Sequence, residues 1–177
     1  MKAKLLLHSC CGPCVINVIK KLAENYQVTV YYFNPNIHPR LEYLRRRDEV
    51  ARHLAKIGSQ FIEGSYDTAK WFELTRGLEK EPERGKRCDV CFEFRLTETI
   101  KYAKENNFSF WATSLSISPH KNYQSISQIG QRLSKEYGLE FVDRDWKKQD
   151  GYKQACQLAK EEGFYRQNYC GCVYSKR

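Results

Sequence analysis

Long apolar runs are missing from this sequence. Its uninterrupted hydrophobic stretches last only a few residues, too short for a helix that crosses a bilayer. Met1-Lys2-Ala3-Lys4-Leu5-Leu6-Leu7 has the basic start of a secretory leader. Its apolar part ends after three leucines at His8, however, and reads as a strand. Internal repeats and low-complexity tracts are also missing, which argues against repeat arrays. Histidine is scarce and scattered: His8 precedes a cysteine pair and His120 falls in a loop, but neither has ligand spacing with another histidine. The expectation is a cytoplasmic globular protein without membrane contact. At 177 residues and 41% hydrophobic content, one domain spanning 1–177 can bury a substantial core.

Acidic residues are in short supply as well. Thirty Lys and Arg against 21 Asp and Glu give a formal charge of +9. The excess gathers at Arg45-Arg46-Arg47, at Arg84, Lys86 and Arg87, and at Lys147-Lys148. A solvated basic surface is one reading. The other is a polyanionic partner such as RNA, because each neutralised phosphate releases counterions.

Cysteine is abundant, and it is clustered. Seven of the eight lie in Cys10-Cys11-Gly12-Pro13-Cys14, Cys88-Asp89-Val90-Cys91 and Cys170-Gly171-Cys172. In a reducing compartment such groups are metal ligands or catalytic thiols before they are structural disulfides. Cys11-Gly12-Pro13-Cys14 has the spacing of the thioredoxin redox motif. Its place after the first strand, and the third sulfur of Cys10, argue against that fold. Cys88 and Cys91 lie about a turn apart at the start of a helix, a spacing that tetrahedral zinc and iron–sulfur clusters both accept. Two sulfurs from each of the first two motifs complete a four-thiolate shell. A structural zinc site in an RNA-binding module is the alternative, but it leaves one cysteine of the first motif and the Cys170/Cys172 pair unexplained. One residue apart, Cys170 and Cys172 can bond only through a small strained ring, which suits a reversible redox pair; two further ligands, or a loose tail, are the other readings. Asp89 either joins a second metal ion, acts as an acid, or simply complements a helix dipole. Cys156 falls in the apolar pattern of the last helix and is expected in the core.

Patterning alternates strands and helices. Strands are expected at residues 4–9, 28–33, 60–65, 108–114 and 139–143. Helices are expected from residue 15 to 22, and at 39–57, 67–78, 88–106, 122–137 and 151–162. This order implies a parallel sheet flanked by helices, with ligands at the carboxyl edge of the strands. All the cysteine motifs would converge there.

Several of these segments together resemble the QueH-type epoxyqueuosine reductases. The resemblance is carried by His8-Ser9-Cys10-Cys11-Gly12-Pro13-Cys14, by Asn34-Pro35-Asn36-Ile37-His38-Pro39 with Glu42-Tyr43, and by Arg87-Cys88-Asp89-Val90-Cys91-Phe92. Thr113-Ser114-Leu115, Ser118-Pro119-His120-Lys121, Gly151-Tyr152-Lys153 and Tyr165-Arg166-Gln167-Asn168-Tyr169-Cys170-Gly171-Cys172 add to it. It implies two-electron removal of the epoxide oxygen from epoxyqueuosine in a tRNA anticodon, giving queuosine and water. It also implies a [4Fe–4S] cluster on Cys10, Cys11, Cys88 and Cys91, a redox-active Cys170/Cys172 pair, and an external electron donor. The fold implied is the adenine-nucleotide α-hydrolase-like (HUP-type) α/β fold. ATP-using members of that fold carry an SGGxDS-like phosphate loop where this chain has Ser9-Cys10-Cys11-Gly12-Pro13-Cys14, so ATP use is not expected.

On this reading Cys14 is surplus to the cluster; with Asp89 it is a candidate for holding an additional iron ion, or it displaces one assigned ligand. Asp89 is also the candidate acid for the departing oxygen. Arg45 to Arg47, Lys86, Arg87, Lys121, Lys147 and Lys148 are candidates for phosphate contacts. Tyr43, Tyr152, Tyr165 and Tyr169 are candidates for stacking on a base, with Tyr43, Lys121, Tyr152 and Arg166 as the nominated substrate contacts.

Overall fold

The computed structural model describes residues 2–176. Five strands, β1 (Ala3–His8), β2 (Tyr26–Tyr32), β3 (Gln60–Glu63), β4 (Phe110–Thr113) and β5 (Glu140–Phe141), pair in the order β3-β2-β1-β4-β5. Every pairing is parallel. The central strand β1 is buried on both faces: Leu5, Leu6 and Leu7 have no exposed surface. That is why its sequence runs apolar without alternating.

Among the described residues six α-helices accompany the sheet: α1 (Gly12–Leu22), α2 (Arg40–Lys56), α3 (Thr68–Leu74), α4 (Lys86–Glu105), α5 (Tyr123–Tyr137) and α6 (Gly151–Glu161). Helix α1 packs against α2 and α6, and α4 packs against α5. With right-handed crossovers these become the two opposite layers. The chain leaves β1 toward β2 and β3, then returns to β4 on the other side of β1. The switch in strand order therefore falls between β1 and β4, just below Cys10 and Thr113.

The expected elements all form, with shifts at their ends. The third helix stops at Leu74 instead of running to residue 78. Thr75 turns its hydroxyl back onto the Trp71 carbonyl (2.9 Å), and Gly77 adopts a left-handed φ of 84°. Strand β5 shrinks to two residues, because Asp143 is drawn away to the side chains of Ser127 (2.5 Å) and Gln131 (2.8 Å). Asn122 caps α5 by accepting from Gln124 N (3.1 Å), and Gly138 ends that helix at φ 69°. Cys156 departs from expectation: it is half-buried, on the side of α6 that faces a cavity. The core position on that turn is taken by Ala155 and Ala159.

One face of α2 holds the segment after α6. Glu42, Arg46, Glu49 and His53 follow one another at helical spacing, and each meets that segment. Arg46, only 1% exposed, donates to the carbonyls of Tyr169 and Cys170 (both 3.1 Å) and pairs with Glu42 (2.7 Å). Glu49 accepts from Tyr165 N (2.7 Å), and His53 packs edge-on against Phe164. Arg46→Met is expected to cost about 3 kcal/mol of folding stability, because it strips one partner from a buried pair and leaves two carbonyls unbonded. Leu41→Ala, at a side chain 78% exposed on the same helix, is expected to cost less than about 0.5 kcal/mol. Urea denaturation of the two variants measures the difference.

Candidate metal centre and active site

The first cysteine motif begins where β1 ends. Cys11 is the N-cap residue of α1, and Pro13 occupies the first turn, where its missing N–H costs nothing. The sulfurs of Cys10, Cys11 and Cys14 lie within 4.8 Å of one another and are all buried. Cys10 and Cys11 are 3.8 Å apart, while Cys11 and Cys14 are joined as a disulfide across a Cα separation of 5.3 Å. The parallel sheet is not that of a thioredoxin, although the motif sits at a helix N-terminus as it would there.

The second motif lies in the first turns of α4. Burial pushes the Cys88 thiol up, against the Arg84 N–H that bonds its sulfur (3.3 Å). Burial likewise pushes Cys91 up, and Arg95 one turn later opposes it, with a guanidinium nitrogen 4.0 Å from the sulfur. Arg95 also donates to Asn34 Oδ1 (2.6 Å), and Asn34 donates to the Ser9 carbonyl (2.8 Å). This relay ties the second motif to the residue before Cys10. Among the described residues, Cys88 and Cys91 do not enter the tight three-sulfur group of the first motif.

The third motif is brought over both by the α2 contacts. Gly171 takes φ 105°, a conformation that favours glycine, and Ile37 packs where a side chain would project. His38 N fixes the Gly171 carbonyl (2.8 Å). The Cys170 sulfur is 3.0 Å from the Ser175 hydroxyl. A hydrogen bond from Cys172 brings the Cys170 thiol down to about 5, and the same bond pushes Cys172 well up. The pair is thus a thiolate beside a thiol, the arrangement of a dithiol ready for exchange.

Two concavities meet at Cys170. One is a narrow apolar cleft lined by Cys88, Cys91, Cys170 and Cys172 together with Trp71, Arg87 and Arg95. The other, of about 330 Å³, is lined by Cys14, Lys121, Tyr152, Cys156, Arg166, Tyr169 and Cys170. Glu83, His120 and Lys121 border both.

A thiolate-bound metal group is compatible with this donor set. The ligands on offer are soft sulfurs from all three motifs. Trp71 Nε1, Arg87 Nε and Arg95 Nε, on three side chains that line the cleft, are buried donors with no acceptor among the described residues. Such donors call for an anion, and thiolates with inorganic sulfide supply one.

Other nominated residues are placed elsewhere. Asp89 is turned a third of a helical turn from Cys88 and accepts from Ser125 of α5 (2.5 Å), in a separate groove between α4 and α5. Tyr43 is 2% exposed, bonded to Glu63 (2.8 Å) and packed on Tyr66, so no base can stack on it. Arg46 is the strut already described, and buried Arg87 clips the carbonyls of Leu78, Glu79 and Glu81. Both are correctly basic but sealed from phosphate. Lys147 is held by Asp145 (2.9 Å), and Tyr165 lies beneath Arg45 (3.4 Å). Lys121, Tyr152, Arg166 and Tyr169 do come together, at the larger cavity. His8 is structural: its Nε2 donates to the Phe33 carbonyl (3.1 Å), and burial holds its pKa far down.

Sequence reasoning missed Arg95 and Gln167. Arg95 carried a signal, since it stands four residues after Cys91 on the same helical face. Gln167 contacts Cys11 from 156 residues away, which no local pattern records.

Comparison with known proteins agrees with this geometry. A family model described as Epoxyqueuosine reductase QueH matches residues 5–177. An epoxyqueuosine reductase QueH of Histophilus somni is 43% identical over 176 residues, 98% of this chain and 72% of that protein. The one from Thermotoga maritima is 33% identical over 174 residues, 97% of this chain and 89% of that protein. Among solved structures, the U34-tRNA thiolase NcsA from Methanococcus maripaludis with its [4Fe-4S] cluster aligns with a TM-score of 0.62 at 13% identity. That alignment covers 99% of this chain and 62% of the thiolase. A predicted subunit of tRNA methyltransferase from Methanocaldococcus jannaschii gives 0.60 at 16% identity, over 90% of this chain and 75% of that one. These two likenesses speak to the fold, which is the adenine-nucleotide α-hydrolase-like α/β type. The sequence matches go further, and by them the chain belongs to the QueH family of epoxyqueuosine reductases.

Proposed function

We propose that the chain reduces the epoxide of epoxyqueuosine in a tRNA anticodon to queuosine, with a [4Fe–4S] cluster as its resident metal group. The observation that carries this reading is the position of Cys170. A depressed thiol borders both the sulfur-lined cleft and a cavity large enough for a modified nucleoside.

The overall change is epoxide plus two electrons and two protons, giving an alkene and water. When bound, the cluster would supply single electrons. Cys10, Cys11, Cys88 and Cys91 would hold it, with Cys11 first released from Cys14 by reduction. The Cys170/Cys172 pair carries the right electron inventory for one turnover: closing its disulfide gives up two electrons and the Cys172 proton, and solvent supplies the second proton. An external two-electron reductant then restores the dithiol. Tyr152 offers its ring to the nucleoside base, and Arg166 is the cation for a flanking phosphate. Lys121 stands between the two concavities and supplies a positive charge where the oxygen departs. Asp89, turned toward Ser125, takes no part in this scheme.

Two outcomes test the proposal. Anaerobically loaded protein, given epoxyqueuosine-containing tRNA and dithionite, is expected to yield a nucleoside lighter by one oxygen. The yield should fall to background in Cys170→Ser and Cys172→Ser, as read by nucleoside mass spectrometry. Full conversion by a metal-free or zinc-loaded preparation would contradict it. In metal-free protein, alkylation of Cys170 by iodoacetamide is expected to rise with pH through a midpoint of about 5, since the protonated thiol is inert and the thiolate reacts. In Cys172→Ala that midpoint should climb toward the ordinary thiol range, because the hydrogen bond that holds it down is gone.

A further inference from the structure

Gln167 makes a contact that the fold does not require. The segment it belongs to is fixed on either side, by Glu49 at Tyr165 N (2.7 Å) and by Arg46 at the Tyr169 and Cys170 carbonyls. Neither tie acts on the Gln167 side chain. Its Nε2 lies 3.0 Å from Cys11 Sγ, and that is the side chain's one hydrogen bond among the described residues. Its Oε1 is buried with no partner. The amide is therefore oriented by a sulfur and by nothing else. The reverse orientation would set the carbonyl oxygen against the lone pairs of the Cys11 sulfur, acceptor to acceptor, so the N–H end belongs on the sulfur.

We propose that Gln167 is a positioning residue that raises the reduction potential of the metal group through its N–H···S bond to Cys11. The inference rests on Cys11 being a ligand of an iron–sulfur cluster, as proposed above. Adding one electron increases the negative charge carried by the thiolate sulfurs. A donor aimed at one of them therefore stabilises the reduced form more than the oxidised form. The bond is strongest to a thiolate and weak to the disulfide sulfur, so it matters most in the loaded protein. Gln167 also lines the larger cavity, which puts this donor between the metal group and the bound nucleoside.

The test is a redox titration of the anaerobically loaded holoprotein with dithionite as the one-electron source, followed by absorption and by electron paramagnetic resonance. Gln167→Leu is expected to retain the wild-type iron and sulfide content and the same absorption, with its midpoint shifted to more negative potential. Gln167→Glu keeps the size but places a carboxylate against the sulfur. Its midpoint should be more negative at neutral pH and return toward wild type as pH falls and the carboxyl regains a proton to donate. Loaded variants with the wild-type midpoint at every pH would overturn the inference. So would loss of iron from both folded variants, which would make Gln167 a requirement for loading and not a modulator. A wild-type protein that binds no iron, or binds zinc, would instead sink the cluster reading itself, and the inference with it.

Discussion

The buried guanidinium of Arg46 is the interaction on which the rest of the site depends. It stands on the inward face of α2 with 1% of its surface exposed and binds two consecutive carbonyls of the C-terminal segment. Burying a charge costs several kcal/mol unless its donors are taken up. Here Glu42 supplies the countercharge, and the Tyr169 and Cys170 carbonyls each accept one further N–H. That compensation works only in one register. A slip of the C-terminal segment by one residue would take these carbonyls off the guanidinium while Glu42 stayed paired, so the buried donors left without acceptors make the arrangement specific. Its consequence is that Cys170 and Cys172 are delivered onto the mouth of a cleft built by α4.

Around that cleft the charges are arranged for an anionic occupant. Arg87, Arg95 and Lys121 border it against the single carboxylate of Glu83, and buried N–H groups of Trp71, Arg87 and Arg95 find no acceptor among the described residues. Meanwhile burial pushes Cys88 and Cys91 toward their neutral thiols. A metal reverses that balance, because it displaces the thiol protons and the cations then stabilise the thiolates. Cys170 is already poised the other way, as a thiolate held by Cys172 and free to exchange. On the proposed function the three motifs divide their work: two to bind metal, one to cycle electrons.

Much of this was legible in the sequence, for identifiable reasons. Apolar runs ending at Cys10, Asn34 and Thr113 mark strands whose carboxyl ends must share one edge of a parallel sheet. That placement is what made a shared site for the cysteine motifs an expectation of the sequence. What failed was the direction of single side chains. Asp89 lies between two cysteines in sequence, yet a helix turns it toward α5. Tyr43 belongs to a motif that marks the family, yet its ring is packed on Tyr66. Arg46 and Arg87 were counted with the basic surface, but both are internal clips. Cys156 fitted an apolar stripe, while the smaller alanines beside it took the core. For Asp89, Tyr43 and Arg46 the outcome was decided by partners on other elements, about which periodicity carries no information; Arg87 instead folds back on the loop just before its own helix.

The central claim is that the first two cysteine motifs hold iron while the third stands beside it unligated. Diffraction from anaerobically loaded crystals at the iron absorption edge tests that claim most directly. The account predicts anomalous density bounded by Cys10, Cys11, Cys88 and Cys91, with Cys170 and Cys172 adjacent but not bonded to iron. Iron bound by Cys170 and Cys172, with the first motif left out, would contradict it.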